Sequence, residues 1–98
     1  MTYLAFCTFD LKNASTTDYQ NAYADLQKIG LKKVHKAGNG TDVVIPTTAA
    51  MGEFNGASAV AVRDSITESV RAAFAARRFT SEIFVVVGGD WTWGSRTT

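Results

Sequence analysis

The opening segment of the chain, Thr2–Phe9, is apolar or aromatic at nearly every position. Alternate residues of a strand point to opposite faces of its sheet. A strand that is apolar on both faces is typical of the centre of a sheet. This segment therefore predicts a central strand, and the other elements must be arranged around it. One of its faces carries Leu4, Phe6 and Thr8, and the other carries Tyr3, Ala5, Cys7 and Phe9.

Two amphipathic helices are predicted from apolar residues at helical spacing. The first begins near Thr16 or Thr17, either of which can cap its first turn, and it stops at Gly30. The second runs from about Ser58 to Arg78, with Ser58 as its cap. Their apolar stripes are Tyr19, Ala22, Tyr23, Leu26 and Ile29 in the first helix, and Val62, Ile66, Val70 and Phe74 in the second.

Three further strands are predicted, over Leu31–Ala37, Asp42–Pro46 and Glu82–Val87. The sequence Gly38-Asn39-Gly40 predicts a tight hairpin between the first two, because these residues tolerate the positive φ angles of such turns. Thr47–Ala57 is predicted to be a loop.

The element order is βαββαβ, which predicts an α+β domain of the ferredoxin-like, split-βαβ kind spanning residues 1–98. Right-handed crossovers give a four-stranded antiparallel sheet of order 4-1-3-2 with both helices on one face. Trp91 and Trp93 alternate with polar neighbours, which is the pattern of a short fifth strand.

Composition restricts the classes of function. The chain has 98 residues and a net charge of +1, so it forms one domain and is not a general polyelectrolyte binder. The single cysteine, Cys7, cannot form an internal disulfide and is expected to be a small core residue, while the single histidine, His35, is expected at the surface. The sequence has no apolar run of about 18 residues, so no membrane span is predicted. The start lacks an export signal, and together with the lone cysteine this predicts a cytoplasmic location.

Acidic residues are predicted to meet at one end of this sheet. In the predicted order, Asp10 at the end of the first strand lies beside Asp42 and Glu82 at the starts of its two neighbours. Such carboxylates could hold magnesium or manganese, with Asp10 as the catalytic and metal-binding candidate. The alternative is ordinary turn chemistry at all three positions.

A basic cluster comprises Lys28, Lys32, Lys33, His35 and Lys36, and no acidic residue occurs from position 26 to position 41. Lys32, Lys33 and Lys36 are therefore candidates for contact with the phosphates of RNA or DNA. The alternative is that these lysines protect an edge strand from pairing with other chains.

A sheet with helices on one face leaves its other face open, and in this chain that face is expected to be apolar. Exposed apolar patches commonly mark interfaces, which predicts a homodimer. Trp91 and Trp93 follow Gly88-Gly89 and are expected at the dimer interface, where they would reach the partner's sheet. The alternative is that they cover their own sheet.

Several motifs resemble the small CRISPR-associated adaptation nuclease superfamily, and its SinR-like branch most closely. These are Phe9-Asp10-Leu11, then Asp18-Tyr19 and Tyr23 in the first helix, and the ending Gly89-Asp90-Trp91-Thr92-Trp93-Gly94. Virulence-associated protein D toxins are more distant relatives. The resemblance implies a ferredoxin-like homodimer in which Asp10 matches the acidic position after the first strand. In nuclease members, two such residues share a metal across the dimer.

The favoured hypothesis is a non-catalytic dimeric module that binds protein or nucleic acid. The alternative is a metal-dependent nuclease that uses a pair of Asp10 carboxylates across the dimer interface. A small-ligand sensor is a third hypothesis, but no residue selects a ligand.

Overall fold

The structure, a computed structural model, describes all 98 residues as a small α+β domain. Strands β4, β1 and β5 form an antiparallel sheet in that order, and β2 and β3 form a separate two-stranded hairpin. Neither helix is long and apolar enough to cross a membrane. The elements in chain order are β1 (Thr2–Leu11), α1 (Thr16–Ile29), β2 (Val34–Lys36), β3 (Asp42–Val44), β4 (Ala49–Asn55), α2 (Ala59–Ala76) and β5 (Ser81–Gly88).

The helices form close to where the sequence predicts them. The cap of α1 is Ser15 instead of Thr16 or Thr17, because its hydroxyl accepts a hydrogen bond from the Asp18 amide at 3.1 Å while the Asp18 carboxylate accepts one from the Ser15 amide at 3.0 Å. Gly30, at φ 109°, ends α1 as predicted, and Ser58 caps α2 as predicted.

The predicted central position of β1 is confirmed, since β1 pairs with a strand on each side. One of its faces lies against both helices and forms the core. The Phe9 ring contacts the rings of Tyr19, Tyr23 and Phe74 there, with centroids 5.3–6.1 Å apart. The buried residues of this face are Tyr3, Ala5, Cys7, Phe9 and Leu11, and the helices add Ala22, Leu26, Val62, Ile66, Val70 and Phe74.

The prediction of a loop over Thr47–Ala57 is wrong, because Ala49–Asn55 forms β4 and pairs with β1 along seven residues. The predicted partner of β1, Asp42–Pro46, instead pairs only within its hairpin. Gly52 makes β4 possible: a methyl group there would collide with the Gly30 carbonyl, so the end of α1 packs directly on this strand only because residue 52 is glycine.

The predicted four-stranded order 4-1-3-2 is not formed as a continuous sheet. Only Lys32 bridges to β4, through two backbone hydrogen bonds with Met51 of 2.9 and 3.0 Å. The chain then bends away, and the strand predicted over Leu31–Ala37 is reduced to the three residues of β2, which form one arm of the hairpin. The arrangement remains consistent with a ferredoxin-like fold that carries a projecting hairpin.

The fifth strand predicted around Trp91 and Trp93 is wrong, since no strand follows Gly88. The tail lies instead against the hairpin of its own chain, where the Trp93 ring meets the edge of the His35 ring at a centroid distance of 6.4 Å. Aromatic contact with the hairpin thus replaces backbone pairing at this end of the chain.

Candidate functional site

The face of the sheet opposite the helices is divided into a covered half and an exposed half. Over β4 and part of β1, the hairpin and Trp93 approach the sheet and border a partly open cavity of about 220 Å³. Met51, on this face, is accordingly buried. The apolar residues lining the cavity are Leu4 and Phe6 from β1, Val43, Ile45 and Pro46 from the hairpin, Met51 and Trp93.

The exposed half lies along β5. Phe84 is 61% exposed and Val86 is 51% exposed, and they stand beside Thr8 and Phe6 of β1. β5 is also an edge strand, because β1 is its only partner. Over eight residues it contains one charge, Glu82, and neither lysine nor proline, so it lacks the usual protection against pairing with another chain.

The acidic residues at the end of the sheet are joined by a lysine. Asp10 and Glu82 are cross-strand partners of β1 and β5, as predicted. The Lys12 ammonium lies 3.2 Å from a carboxylate oxygen of each, and the Tyr19 hydroxyl lies 3.2 Å from the other oxygen of Asp10. Hydrogen bonds to Glu82 and Asp10 raise the pKa of Lys12. The ammonium group of Lys12 therefore occupies the position between the two carboxylates.

Asp42 does not join these acids, so the predicted cluster of three carboxylates is wrong. It lies in the hairpin, where its carboxylate pairs with the Lys36 ammonium at 2.6 Å. The physical reason is that β4, and not β3, is the strand that lies beside the end of β1. The structure contains no group of three or more His, Cys, Asp or Glu side chains placed to hold a metal ion.

The three candidate lysines for nucleic-acid contact point to different surroundings. The Lys33 ammonium lies 4.5 Å from the centroid of the Tyr23 ring, in a cation–π contact with α1. Lys36 pairs with Asp42, and Lys32 is exposed and makes no ion pair. Lys36 thus lies next to the hairpin tip and Lys32 at the bridge to β4, whereas Lys33 contacts α1.

A groove runs between the tip of the hairpin and the C-terminal tail, with a volume of about 540 Å³. One wall is Lys36–Asn39 and the other is Trp91–Ser95. The tip itself is the predicted tight turn, in which Gly40 has a φ of 85° and the Asn39 side chain accepts a hydrogen bond from the Thr41 amide at 3.0 Å. The groove combines aromatic surface with a cation.

Cys7 and His35 are not placed for nucleophilic catalysis. Cys7 is fully buried, as expected of a core residue, and burial raises the pKa of its thiol to about 11, which disfavours the thiolate. His35 is half-buried and not fully at the surface as predicted: its Nε2 lies 2.7 Å from the Lys32 carbonyl oxygen and so donates a hydrogen bond to it.

The sequence prediction missed the partners that fix Asp10. Lys12 follows Asp10 by two residues, and this spacing was a usable signal, because side chains two apart in an extended segment share a face. Tyr19 carried no such signal. Its hydroxyl, which also accepts a hydrogen bond from the Leu11 amide at 3.1 Å, reaches the strand only because α1 packs across it.

Comparison of the chain with family models, with curated proteins and with solved structures finds no match.

Proposed function

We propose that this chain is a non-catalytic, homodimeric ferredoxin-like module that binds protein or nucleic acid. The observation that carries the proposal is strand β5, which combines exposed Phe84 and Val86 with an unpaired backbone edge. Apolar side chains and free amide and carbonyl groups on one edge strand favour association with another strand. A second copy supplies an identical strand, and two-fold symmetry pairs identical surfaces.

The acidic end of the sheet supports the non-catalytic part of the proposal. Lys12 forms an ion pair with both Asp10 and Glu82, and its ammonium lies where a divalent cation would bind between them. A metal ion would have to displace this ammonium and would find two protein carboxylates, whereas hard cations generally take several oxygen ligands. We also propose that the chain is related to the SinR-like branch and that it is located in the cytoplasm.

The dimer is tested by measuring the molar mass in solution across a range of protein concentrations. We expect the wild type to associate, and Phe84→Glu to remain a monomer, because two carboxylates would be brought into an apolar contact. The matched control is Val60→Glu, which places the same charge on a valine of α2 that is 56% exposed. It should associate like the wild type.

A monomeric wild type at all concentrations would contradict the dimer, as would unchanged association of Phe84→Glu. Circular dichroism of each variant separates loss of association from loss of folding. Phe84 is mostly exposed, so the Glu variant should retain its helical signal.

A second candidate function is a metal-dependent nuclease, and the adjacency of Asp10 and Glu82 favours it. In a homodimer, two copies of this pair could together supply enough oxygen ligands for magnesium or manganese. The test is cleavage of RNA and DNA with either metal by the wild type, Asp10→Asn and Asp64→Asn. Asp64 is an exposed aspartate of α2 and serves as the control. Cleavage lost only in Asp10→Asn supports the nuclease, and absence of cleavage or equal cleavage by all three removes Asp10 from catalysis.

A further inference from the structure

We propose that the groove between the hairpin tip and the C-terminal tail binds single-stranded nucleic acid. A base would stack on tryptophan while the Lys36 side chain of the hairpin contacts a phosphate. This inference rests on the proposed binding function, for which it names the ligand class and the site, but it does not require the dimer.

The aromatic part of the groove is concentrated in one place. The chain contains two tryptophans, Trp91 and Trp93, and both line the tail side of the groove. Trp93 is 38% exposed although its ring contacts His35, so part of its surface is free for a ligand. Every base has a π face, and stacking on an aromatic side chain is therefore independent of base sequence.

The opposite wall supplies charge and room. Lys36 stands at one end of this wall, and Gly38 at its centre has no atom within 4 Å of the position where a Cβ would be placed. A sugar-phosphate backbone can therefore approach the turn closely. Lys32, exposed and without an ion pair, lies four residues before Lys36 at the bridge to β4, and Arg96 follows the tail side of the groove.

One negative charge restrains this surface. Asp42 holds the Lys36 ammonium at 2.6 Å, so a phosphate must compete with it. The pair is exposed on both sides, with side-chain exposures of 71% for Lys36 and 60% for Asp42, and exposed pairs of this kind are weak. Removal of the Asp42 charge should consequently strengthen binding of an anion.

The chemistry favours single strands over duplexes and over acidic peptides. A duplex buries the faces of its bases in its own stack, so it cannot use the tryptophans without distortion. An acidic peptide can contact the lysines but gains little from an aromatic face. Only an unpaired strand uses both walls of the groove.

Tryptophan fluorescence gives a direct assay, because both fluorophores lie in the groove. The wild-type protein is titrated with single-stranded twelve-residue oligothymidine and oligouridine, with a twelve-base-pair DNA duplex, and with a twelve-residue polyglutamate peptide. We expect saturable quenching by the single strands and binding of the duplex and peptide at least tenfold weaker.

Four variants assign the interaction to named residues. Trp91→Leu should bind about 5- to 150-fold more weakly, as expected for loss of one stacked base. Lys36→Gln should bind more weakly and with a salt slope reduced by about 0.7, the change for one phosphate contact on a single strand. Asp42→Asn should bind more tightly. Arg63→Gln, which removes an exposed cation of α2 that pairs with Asp64 much as Lys36 pairs with Asp42, is the control and should leave binding unchanged.

Quenching by single strands with this order of variants supports the inference. It is overturned if single strands do not quench, if the duplex or polyglutamate binds as tightly, or if Arg63→Gln weakens binding as much as Lys36→Gln. Quenching by a protein whose molar mass stays monomeric would refute the proposed dimer and leave the groove intact. A dimer without quenching would refute the groove alone.

Discussion

The two faces of strand β1 belong to the same ten residues and yet differ in almost every physical respect. On the face toward the helices, every second residue from Tyr3 to Leu11 is buried, and none of these residues is charged. Toward the other side, the strand presents Leu4, Phe6, Thr8 and Asp10, of which the first three are half-buried and the last is exposed. The difference arises from what covers each face: both helices lie on one, and a hairpin of two three-residue strands lies with the tail on the other.

This contrast separates stability from interaction within one sheet. The helix-covered face contains the tightly packed core, where buried apolar area stabilises the fold. The other face retains exposed apolar side chains and the exposed carboxylates of Asp10 and Glu82, which contribute little to folding. Substitutions on the two faces should therefore have different consequences.

The largest expected effect comes from the same residue type on the two faces. Phe9→Ala should lower the free energy of unfolding by about 3–5 kcal/mol, because Phe9 is 4% exposed and contacts three other aromatic rings. Phe84→Ala should change it by less than about 0.5 kcal/mol at concentrations where the protein is monomeric. Urea unfolding measures both, and equal losses would break the distinction between the faces.

A somewhat smaller effect is expected where α1 meets β4. Gly52→Ala should destabilise the domain by about 3 kcal/mol, because the added methyl group meets the Gly30 carbonyl, which belongs to the backbone and cannot rotate away. Gly38→Ala adds the same group in open space and is the control. Thermal unfolding of the two variants compares them directly, and a Gly52→Ala protein as stable as the control would argue against the packing of α1 on β4.

A still smaller effect concerns the ion pair that joins the helices. Asp25 accepts hydrogen bonds from Arg77, one of 3.0 Å, and this partner lowers the pKa of the Asp25 carboxyl below its ordinary value of 3.8. The pair thus stabilises the folded state above pH 3.8, and this contribution is lost as the pH falls through the lower native pKa. Asp25→Asn should cost about 1 kcal/mol at pH 7.

The pH dependence of unfolding checks this sign. The stability difference between wild type and Asp25→Asn should shrink as the solution is acidified from pH 5 to pH 2. Asp64→Asn, which removes a more exposed carboxylate of α2, should show a smaller difference at every pH. A difference that grows toward low pH would contradict the assignment of the pair as stabilising.

The helices could be predicted because their residues carry helical periodicity, and the strands β1 and β5 because their residues form continuous apolar runs. The stripe Val62, Ile66, Val70 and Phe74 is buried throughout, as its spacing indicates. Glu68 and Arg71, three residues apart on α2, form an ion pair with nitrogen–oxygen distances of 2.6 and 2.8 Å.

Strand β4 could not be predicted, because its residues are poor strand formers by themselves. Ala49–Asn55 contains two alanines, a glycine, a glutamate and an asparagine, which are depleted in strands. Its strand conformation comes from contacts remote in sequence: pairing with β1, the bridge at Lys32 and the close approach of Gly30 to Gly52. Because β4 was not predicted, β3 was wrongly placed beside β1, and the predicted position of Asp42 was therefore wrong. The predicted proximity of Asp10 and Glu82 depended only on β1 and β5 and is confirmed.

The most direct test of the central claim, that β5 is the association surface, is amide hydrogen exchange at protein concentrations below and above the onset of association. We expect exchange within Ser81–Gly88 to slow as the concentration rises, because a second copy would cover the free edge, while exchange within Ala59–Ala76 stays constant. Exchange in β5 that is independent of concentration, in a protein that nonetheless associates, would place the interface elsewhere and contradict the claim.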